Sequence, residues 1–373
     1  MAVVGIICEY NPFHNGHLYH IREIQKRFKD AIIVLCLNGY FTQRGEVSVL
    51  TKEDKVKLSL DYGVDLVVEL PFIYGTQSSD YFASASLKIL SNLGITHLVF
   101  GTETKDLEIL KKSAYAQLES DFTIQGEEKL NYPTRLAQTL GDEVSSTPND
   151  LLAISYLKEI KKQQYRITPV NILRTSSYHD LTSNDSIISA SNIREKLKQG
   201  KDVSPFIPFK DKSKFVVFDE DLEFMLLSYQ ILTNSHLEEY LDVVEGLDHK
   251  LVKEVIRSQS MQELSFHVKS KRYTYNRIRR MLIHVLVGLP KKVEEISYIR
   301  VLGFNTKGKN YLHTQKKKSS LPFFVDKNSM QYHFELTASR IYDILTHQNT
   351  ISFEKKNQPI YVSEASFKES SQK

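Results

Sequence analysis

Cysteine is scarce in this chain: 373 residues carry only Cys8 and Cys36. Both sit in apolar runs, where an unpaired thiol behaves as a small buried hydrophobe. Two such residues supply neither a zinc site nor a disulfide framework, and the count fits a reducing cytoplasm. Long hydrophobic runs are also missing. No window reaches the roughly 18 uncharged apolar residues of a membrane span, so no membrane association is expected. The N-terminus opens on a strand-like run, without a basic stretch and cleavage site, so no secretory signal is expected. There is no internal repeat and no low-complexity tract.

What is present is ordinary globular material, 41% hydrophobic and 25% charged. The length predicts two domains. In the first half, strand-like runs at Val3–Cys8, Ala31–Leu37, Leu66–Leu70, His97–Phe100 and Ile167–Ile172 alternate with helical periodicity. Leu18, Ile21, Ile24 and Phe28 recur at helical spacing, as do Ala83, Leu87, Leu90 and Leu93. Short continuous apolar runs between helices predict strands buried on both faces of a parallel sheet. The expected fold is α/β, a doubly wound parallel sheet over residues 1–200, with ligands at the carboxyl ends of the strands. Gly200–Lys214, with Pro205, Pro208 and several lysines, reads as a linker. A mainly helical second domain is expected over 215–373, with helices at Leu222–Tyr229, Leu247–Ser258 and Tyr275–Val287. A shorter strand-like run, Ile296–Leu302, follows them, and a polar tail from Lys355 is expected to fray.

The first strand leads through Glu9-Tyr10-Asn11-Pro12-Phe13 into His14-Asn15-Gly16-His17. This loop carries neither a G-x-G-x-x-G dinucleotide loop nor a G-x-x-x-x-G-K phosphate loop. It still places two histidines at a helix start, where unpaired N–H groups and the helix dipole attract anions. Imidazoles donate hydrogen bonds to phosphate oxygens, and Gly16 lets a ligand approach the backbone. Taken alone, the pair also fits an ordinary polar loop or a metal pair. A second segment, Ile188-Ser189-Ala190-Ser191-Asn192-Ile193-Arg194, predicts a helix capped by Ser189 and running to about Lys198. Ser191 and Arg194, three apart, share one face and offer a hydroxyl and a guanidinium as a second phosphate clamp.

Charge is unevenly spread. Between Phe266 and Lys318 there are fourteen Lys/Arg against Glu294 and Glu295, a local net of +12 in a chain of net +4. Within that window Arg272, Tyr275, Arg277 and Arg280 interleave aromatic and cationic side chains. Ile278, Met281, Leu282 and Val285 form a stripe that buries the other side of the same helix. Cations that track phosphates beside tyrosines that stack on unpaired bases predict RNA binding.

Together the His14–His17 loop and the Ser189–Arg194 segment resemble the two signature motifs of HIGH-type, Rossmann-like nucleotidylyltransferases. The resemblance is closest to the bacterial tRNA(Met) cytidine acetate ligase family. It is carried by Cys8–His17, Phe41-Thr42-Gln43-Arg44-Gly45-Glu46, Glu69-Leu70-Pro71, Phe100-Gly101-Thr102-Glu103, Pro148-Asn149-Asp150, Arg174 and Tyr178-His179-Asp180. It extends more loosely over Arg277–Leu286 and Tyr298–Phe304. Two departures are Tyr40, where the family pattern has asparagine, and Val47, where it has proline.

The resemblance implies an ATP-dependent ligase that activates acetate as acetyl-adenylate and acetylates N4 of the wobble cytidine of elongator tRNA(Met). It implies an ATP site made of Ile7, Cys8, Glu9, Tyr10, Asn11, Pro12, Phe13, His14, Asn15, Gly16, His17, Leu18, Tyr19, His20, Gly101, Asn149 and Arg174. His14, His17, Ser191 and Arg194 are then expected to carry the triphosphate and departing pyrophosphate, with Mg²⁺ held mainly by phosphate oxygens and water. Glu9, Asp80 and Glu103 are the candidate bases for acetyl transfer, without a choice among them. No protein partner is implied. The alternatives are a small-molecule nucleotidylyltransferase acting on a phosphorylated cofactor precursor, and a non-catalytic ATP- and RNA-binding protein.

Overall fold

The computed structural model describes residues 1–119, 147–174, 186–244 and 246–363. Tyr178, His179 and Asp180 lie outside the described residues. The first half alternates β1 (Val3–Cys8), α1 (Asn15–Arg27), β2 (Ile32–Asn38), α2 (Lys52–Asp61), β3 (Leu66–Leu70), α3 (Phe72–Gly75), α4 (Ser79–Asn92), β4 (His97–Thr102), α5 (Leu107–Glu119), α6 (Pro148–Lys162), β5 (Thr168–Leu173) and α7 (Ala190–Lys198). These five strands run parallel in the order β5-β4-β1-β2-β3. Alternate residues of β2 serve opposite faces, as the pleat requires. Ile32, Val34 and Cys36 pack with α4 and α6, while Ile33, Leu35 and Leu37 pack with α1 and α2. The chain moves outward from β1 to β3 and then returns to the other side of β1. That reversal opens a crevice at the carboxyl ends of β1 and β4.

The second half adds α8 (Glu220–Thr233), α9 (Leu247–Val255), α10 (Met261–Val268), α11 (Tyr275–Val287), β6 (Val301–Asn305), α12 (Thr306–Gln315), α13 (Met330–Thr346), α14 (Ile351–Lys356) and β7 (Ile360–Val362). The linear division into 1–200 and 215–373 is not the spatial one. β6 pairs antiparallel with β3, and β7 pairs parallel with β6, so the sheet has seven strands among the described residues. The added pair covers an edge of β3 that would otherwise leave backbone groups unpaired. Gly303 permits the approach, since a Cβ there would lie 2.7 Å from Val56 Cγ1. In return, Tyr40, Phe41, Val47, Phe72 and Ile73 of the first half pack into the helical core with Leu227, Leu264, Ile278, Leu282 and Tyr342.

Two further expectations are corrected. Gly200–Lys214 is not a free linker, because Val203, Phe206, Ile207 and Phe209 are buried against the face of the sheet that carries α1 and α2. The start of the polar tail is not frayed, because Lys355 and Lys356 end α14 and Ile360–Val362 form β7. Among the described residues, no helix is long and apolar enough to cross a membrane. Cys8 and Cys36 are free thiols, and burial pushes the Cys8 thiol up to about 12.

A buried charge network joins the halves. Lys52 Nζ lies 2.7 Å from Glu69, 2.6 Å from Glu335 and 2.8 Å from Glu354, all essentially excluded from solvent. Arg300 bonds Glu69 at 3.0 Å and also bonds Glu354. Burial disfavours the charge on Lys52, but Glu335, Glu354 and Glu69 outweigh it and raise the ammonium pKa. Burial and the Glu69 charge push the Glu335 carboxyl up to about 7. Burial also opposes the charge on Glu354, yet Lys52 and Arg300 hold that carboxyl down to about 2. Tyr40 donates to Glu354 at 2.6 Å and lies under Lys52. Its departure from the family pattern therefore adds to this network.

Candidate active site

A cleft of about 270 Å³ opens at the carboxyl ends of β1 and β4. One part of it is built by the start of α1. His14 is the N-cap, with its Nδ1 accepting from Gly16 N at 3.0 Å. His17 Nδ1 accepts from His14 N at 3.2 Å, closing a capping box made of two histidines. In a neutral imidazole one nitrogen accepts and the other donates. With Nδ1 occupied as acceptor on both rings, each Nε2 carries the proton. The two rings are tilted by 37° with centroids 3.9 Å apart, and Tyr10 and Phe13 pack against His17.

Burial, then the charges of Arg174 and Arg194, pushes His14 down to about 3. Burial, then His14 and Arg174, also holds His17 well below the usual range. His20 is pushed down to about 4 by burial and by Arg174. His14 and His17 therefore enter the cleft neutral, as fixed N–H donors rather than as cations. The role of Gly16 shifts accordingly. A Cβ there would lie 2.7 Å from His14 Cε1, so the glycine makes room for the capping ring, whose nitrogen already takes the Gly16 N–H.

The second segment closes on the first. Ser189 Oγ accepts from Asn192 N at 3.2 Å and caps α7, as the sequence predicts. Asn15 Nδ2 donates to Ser186 O at 2.8 Å and to Pro205 O at 2.9 Å, which ties the histidine loop to the approach of α7. Arg194 donates to Asn11 O at 2.7 Å and pairs with Glu46 at 2.6 Å. Ser191 bonds Ser189 at 3.0 Å. His14, His17, Ser191 and Arg194 thus line one cleft, with Arg194 held by the Glu46 carboxylate.

The same cleft also gathers Gly101, Asn149 and Arg174. Glu103 organises it, accepting from Asn149 Nδ2 at 2.6 Å and Thr147 Oγ1 at 2.9 Å, with Arg174 Nε 3.5 Å away. Asp150 fixes the backbone there by accepting from Glu103 N and Thr104 N. Burial lowers the Arg174 pKa against the raising effect of Glu103, and its Nε has no hydrogen-bond partner among the described residues. At Gly101 the protein leaves room, since the nearest atom to an added Cβ is Arg174 Cγ at 3.5 Å. Of the remaining ATP-site residues expected from the sequence, Ile7, Cys8, Glu9, Tyr10, Asn11, Gly16, Tyr19 and His20 also line the cleft. Pro12, Phe13, Asn15 and Leu18 stand behind it; Phe13 is fully buried and packs on Tyr62.

Sequence reasoning missed the wall formed by Thr42, Gln43, Arg44 and Glu46 as part of the cleft. Thr42 N donates to Glu46 O at 2.9 Å, making a tight turn that needs Gly45 at φ 74°. A Cβ on Gly45 would lie 2.9 Å from Arg279 O, and Arg279 Nε donates to Gly45 O at 3.1 Å. Helix α11 therefore sits directly against the turn that walls the cleft. The apolar stripe Ile278, Met281, Leu282 and Val285 is buried, as expected.

Of the candidate RNA contacts, Arg272 and Tyr275 are exposed, with Lys269 over the Tyr275 ring. Arg277 stacks on Tyr273 and lies 3.9 Å from Asp242. Arg280 is half-buried, and burial lowers its pKa against the raising charge of Asp242. The local excess of positive charge is thus partly spent inside the protein. Arg279 pairs with Glu223 at 2.8 Å, Arg300 is in the buried network, and Lys307 donates to Ala31 O at 2.5 Å. The carboxylate cluster Glu69, Glu335 and Glu354 has the spacing of a metal site but is filled by Lys52 and Arg300.

The HIGH Nucleotidyl Transferase family matches residues 1–358. A tRNA(Met) cytidine acetate ligase of Fusobacterium nucleatum is 36% identical over 341 residues, covering 85% of this chain and 86% of the relative. One from Caldanaerobacter subterraneus is 36% identical over 375 residues, covering 92% of each chain. Thermotoga maritima TmcAL, solved with alpha-thio ATP, superposes with a TM-score of 0.84 at 26% identity. It covers 97% of this chain and 100% of that one. With the paired histidine cap, the Ser189–Arg194 clamp and these relatives in agreement, the chain belongs to the tRNA(Met) cytidine acetate ligase family of HIGH nucleotidyl transferases.

Proposed function

We propose that the protein joins ATP and acetate into acetyl-adenylate and transfers the acetyl group to N4 of the wobble cytidine of elongator tRNA(Met). One observation carries the reading past nucleotide binding. The basic helix α11 is bonded through Arg279 to Gly45, inside the turn that walls the cleft. A polyanion lying on that helix is delivered to the adenylation site. A nucleotidylyltransferase for a small cofactor precursor has no use for this attachment. A non-catalytic binding module is separated from the ligase by turnover, since it releases no pyrophosphate with any acid.

Adenylation requires an acid carboxylate held in line with the α-phosphorus and neutralisation of the departing pyrophosphate. His14 and His17 Nε2–H groups serve the triphosphate, and Ser191 and Arg194 the leaving pyrophosphate. Asn149, Gly101 and Arg174 hold the nucleoside end. Glu9 and Glu46 are the carboxylates that line the cleft, too few for a protein cage around a cation. Mg²⁺ therefore enters with ATP, on phosphate oxygens and water. The test is ATP–pyrophosphate exchange, which this reading requires to depend on acetate.

Gly101→Ala probes the nucleoside end. The protein has room for the methyl group, so thermal stability stays within a degree or two, whereas ATP affinity falls by about tenfold or more as the methyl enters ligand space. Unchanged ATP affinity in calorimetry removes Gly101 from the site.

The RNA face separates into two signatures. Arg272→Ala weakens tRNA binding and reduces the slope of log affinity against log salt by about one. Tyr275→Ala weakens binding by ~1–3 kcal/mol with the slope retained, as loss of base stacking requires. Binding titrations at several salt concentrations read both, and an affinity independent of salt removes the RNA face.

A further inference from the structure

Acetyl transfer needs a group that takes a proton from cytidine N4, and Glu9 competes for it with three other carboxylates in or near the cleft. Asp80 is outside the cleft lining and holds Lys158 at 2.8 Å and Ser155 at 2.8 Å. Glu103 spends both oxygens, one on Asn149 and the other on Thr147, and faces Arg174. Glu46 lines the cleft but has its Oε2 paired with the Arg194 guanidinium at 2.6 Å.

Glu9 differs from all three. It ends β1, lines the cleft and is held by one oxygen only: Oε1 accepts from Gln43 N at 2.5 Å and from Asn38 Nδ2 at 3.0 Å. No described residue donates to Oε2. The backbone beneath is pinned by Lys55, whose Nζ donates to Glu9 O at 3.0 Å and Asn38 O at 2.8 Å and also bonds Gly39 O. The carboxylate is therefore fixed in position with one basic edge unspent, at the junction of the nucleotide cleft and the 42–46 wall.

We propose that Glu9 is the general base of the acetyl-transfer step, its Oε2 taking the proton from cytidine N4. This rests on the ligase reading above. N4 attacks the acetyl carbonyl carbon, a C–N bond forms, the C–O bond to AMP breaks, and AMP leaves with the electron pair. The proton lost by N4 passes to Glu9 and then to solvent. AMP departs as a phosphate anion and needs no proton, so one base suffices. Burial raises the Glu9 pKa above the ordinary carboxylate value, against the lowering effects of Gln43, Asn38 and Arg44; Glu46 raises it further. A raised pKa strengthens the base. The groups around it are Arg44 and Glu46 from the 42–46 wall, Lys55 from α2, Cys8 from β1 and Tyr156 from α6.

The isosteric Glu9→Gln separates the two half-reactions. Acetate-dependent ATP–pyrophosphate exchange reads adenylation. Acetylation of tRNA from added acetyl-adenylate reads transfer alone. A positioned base contributes about 10²–10⁴-fold. Transfer by E9Q is expected to fall about a hundredfold or more, at least tenfold further than exchange. The rise of the wild-type transfer rate with pH, governed by a group titrating above the normal carboxylate range, disappears in E9Q. Equal losses in exchange and transfer make Glu9 a framework residue and overturn the proposal, as does transfer at the wild-type rate. Binding of an ATP analogue to E9Q verifies that the cleft has formed. If wild type itself lacks acetate-dependent exchange, the ligase reading fails first, and that result is distinct from either outcome for E9Q.

Discussion

Replacing His14 with asparagine lowers acetate-dependent ATP–pyrophosphate exchange by about 10²–10³-fold while leaving the protein folded. The magnitude is that of one preorganised donor removed from a developing negative charge. Asparagine is the informative choice because it is itself a preferred N-cap, so the cap on Gly16 N survives while the Nε2–H donor is lost. His14→Ala loses both, and adds about 1 kcal/mol of destabilisation. His17→Ala lowers exchange similarly, since it removes the second donor and leaves His14 N without its acceptor. Circular dichroism and thermal unfolding report the cap, and exchange reports the donor. Exchange undiminished in both His14→Asn and His17→Ala removes the imidazoles from phosphate chemistry.

Replacing Lys52 with methionine destabilises the protein by about 3–5 kcal/mol at pH 7, read by urea unfolding. Removal of one partner from a buried ion pair strands the charge left behind. Here it strands Glu69, Glu335 and Glu354 with Arg300 as their remaining cation. The effect extends to assembly of the molecule, because these groups come from α2, β3, α13, α14 and the approach to β6. Glu335 also accepts from Phe72 N at 2.8 Å, so its displacement frees the start of α3. The exposed pair Lys57–Glu53 is the internal contrast. Both side chains are 45% exposed, and Lys57→Met costs under about 0.5 kcal/mol. A loss below 1 kcal/mol for Lys52→Met contradicts the assignment of this network as the joint between sheet and helical core.

The parts of this molecule legible in the sequence are those whose determinants are local. Thr274 caps α11 by accepting from Arg277 N, and Gly288 ends it at φ 76°, so both boundaries stand in the sequence. Ser189 marks the start of α7 in the same way. The five parallel strands were legible because each is a continuous apolar run bounded by helical periodicity.

What escaped depends on residues far apart in the chain. β7 has three residues and no pattern of its own, and it becomes a strand only against Gly303–Asn305. Glu335 lies 283 residues from Lys52, and nothing near either position announces the other. The stretch Gly200–Lys214 misled because its prolines and lysines outweighed Val203, Phe206, Ile207 and Phe209, which a buried segment requires.

The candidate site divides along the same line. The histidine pair and the Ser189–Arg194 clamp are each one helix start, readable from a few adjacent residues. Which histidine nitrogen donates followed only from the capping bonds. The 42–46 wall followed only from its attachment to α11.

The most direct test of the whole account is to incubate the protein with labelled acetate, ATP and total tRNA, then locate the label by nuclease digestion and mass spectrometry. The account predicts label on N4 of a single cytidine, at the wobble position of elongator tRNA(Met), in an amount that requires ATP. Label retained on AMP, or absent from RNA while ATP is consumed with another acid, contradicts it.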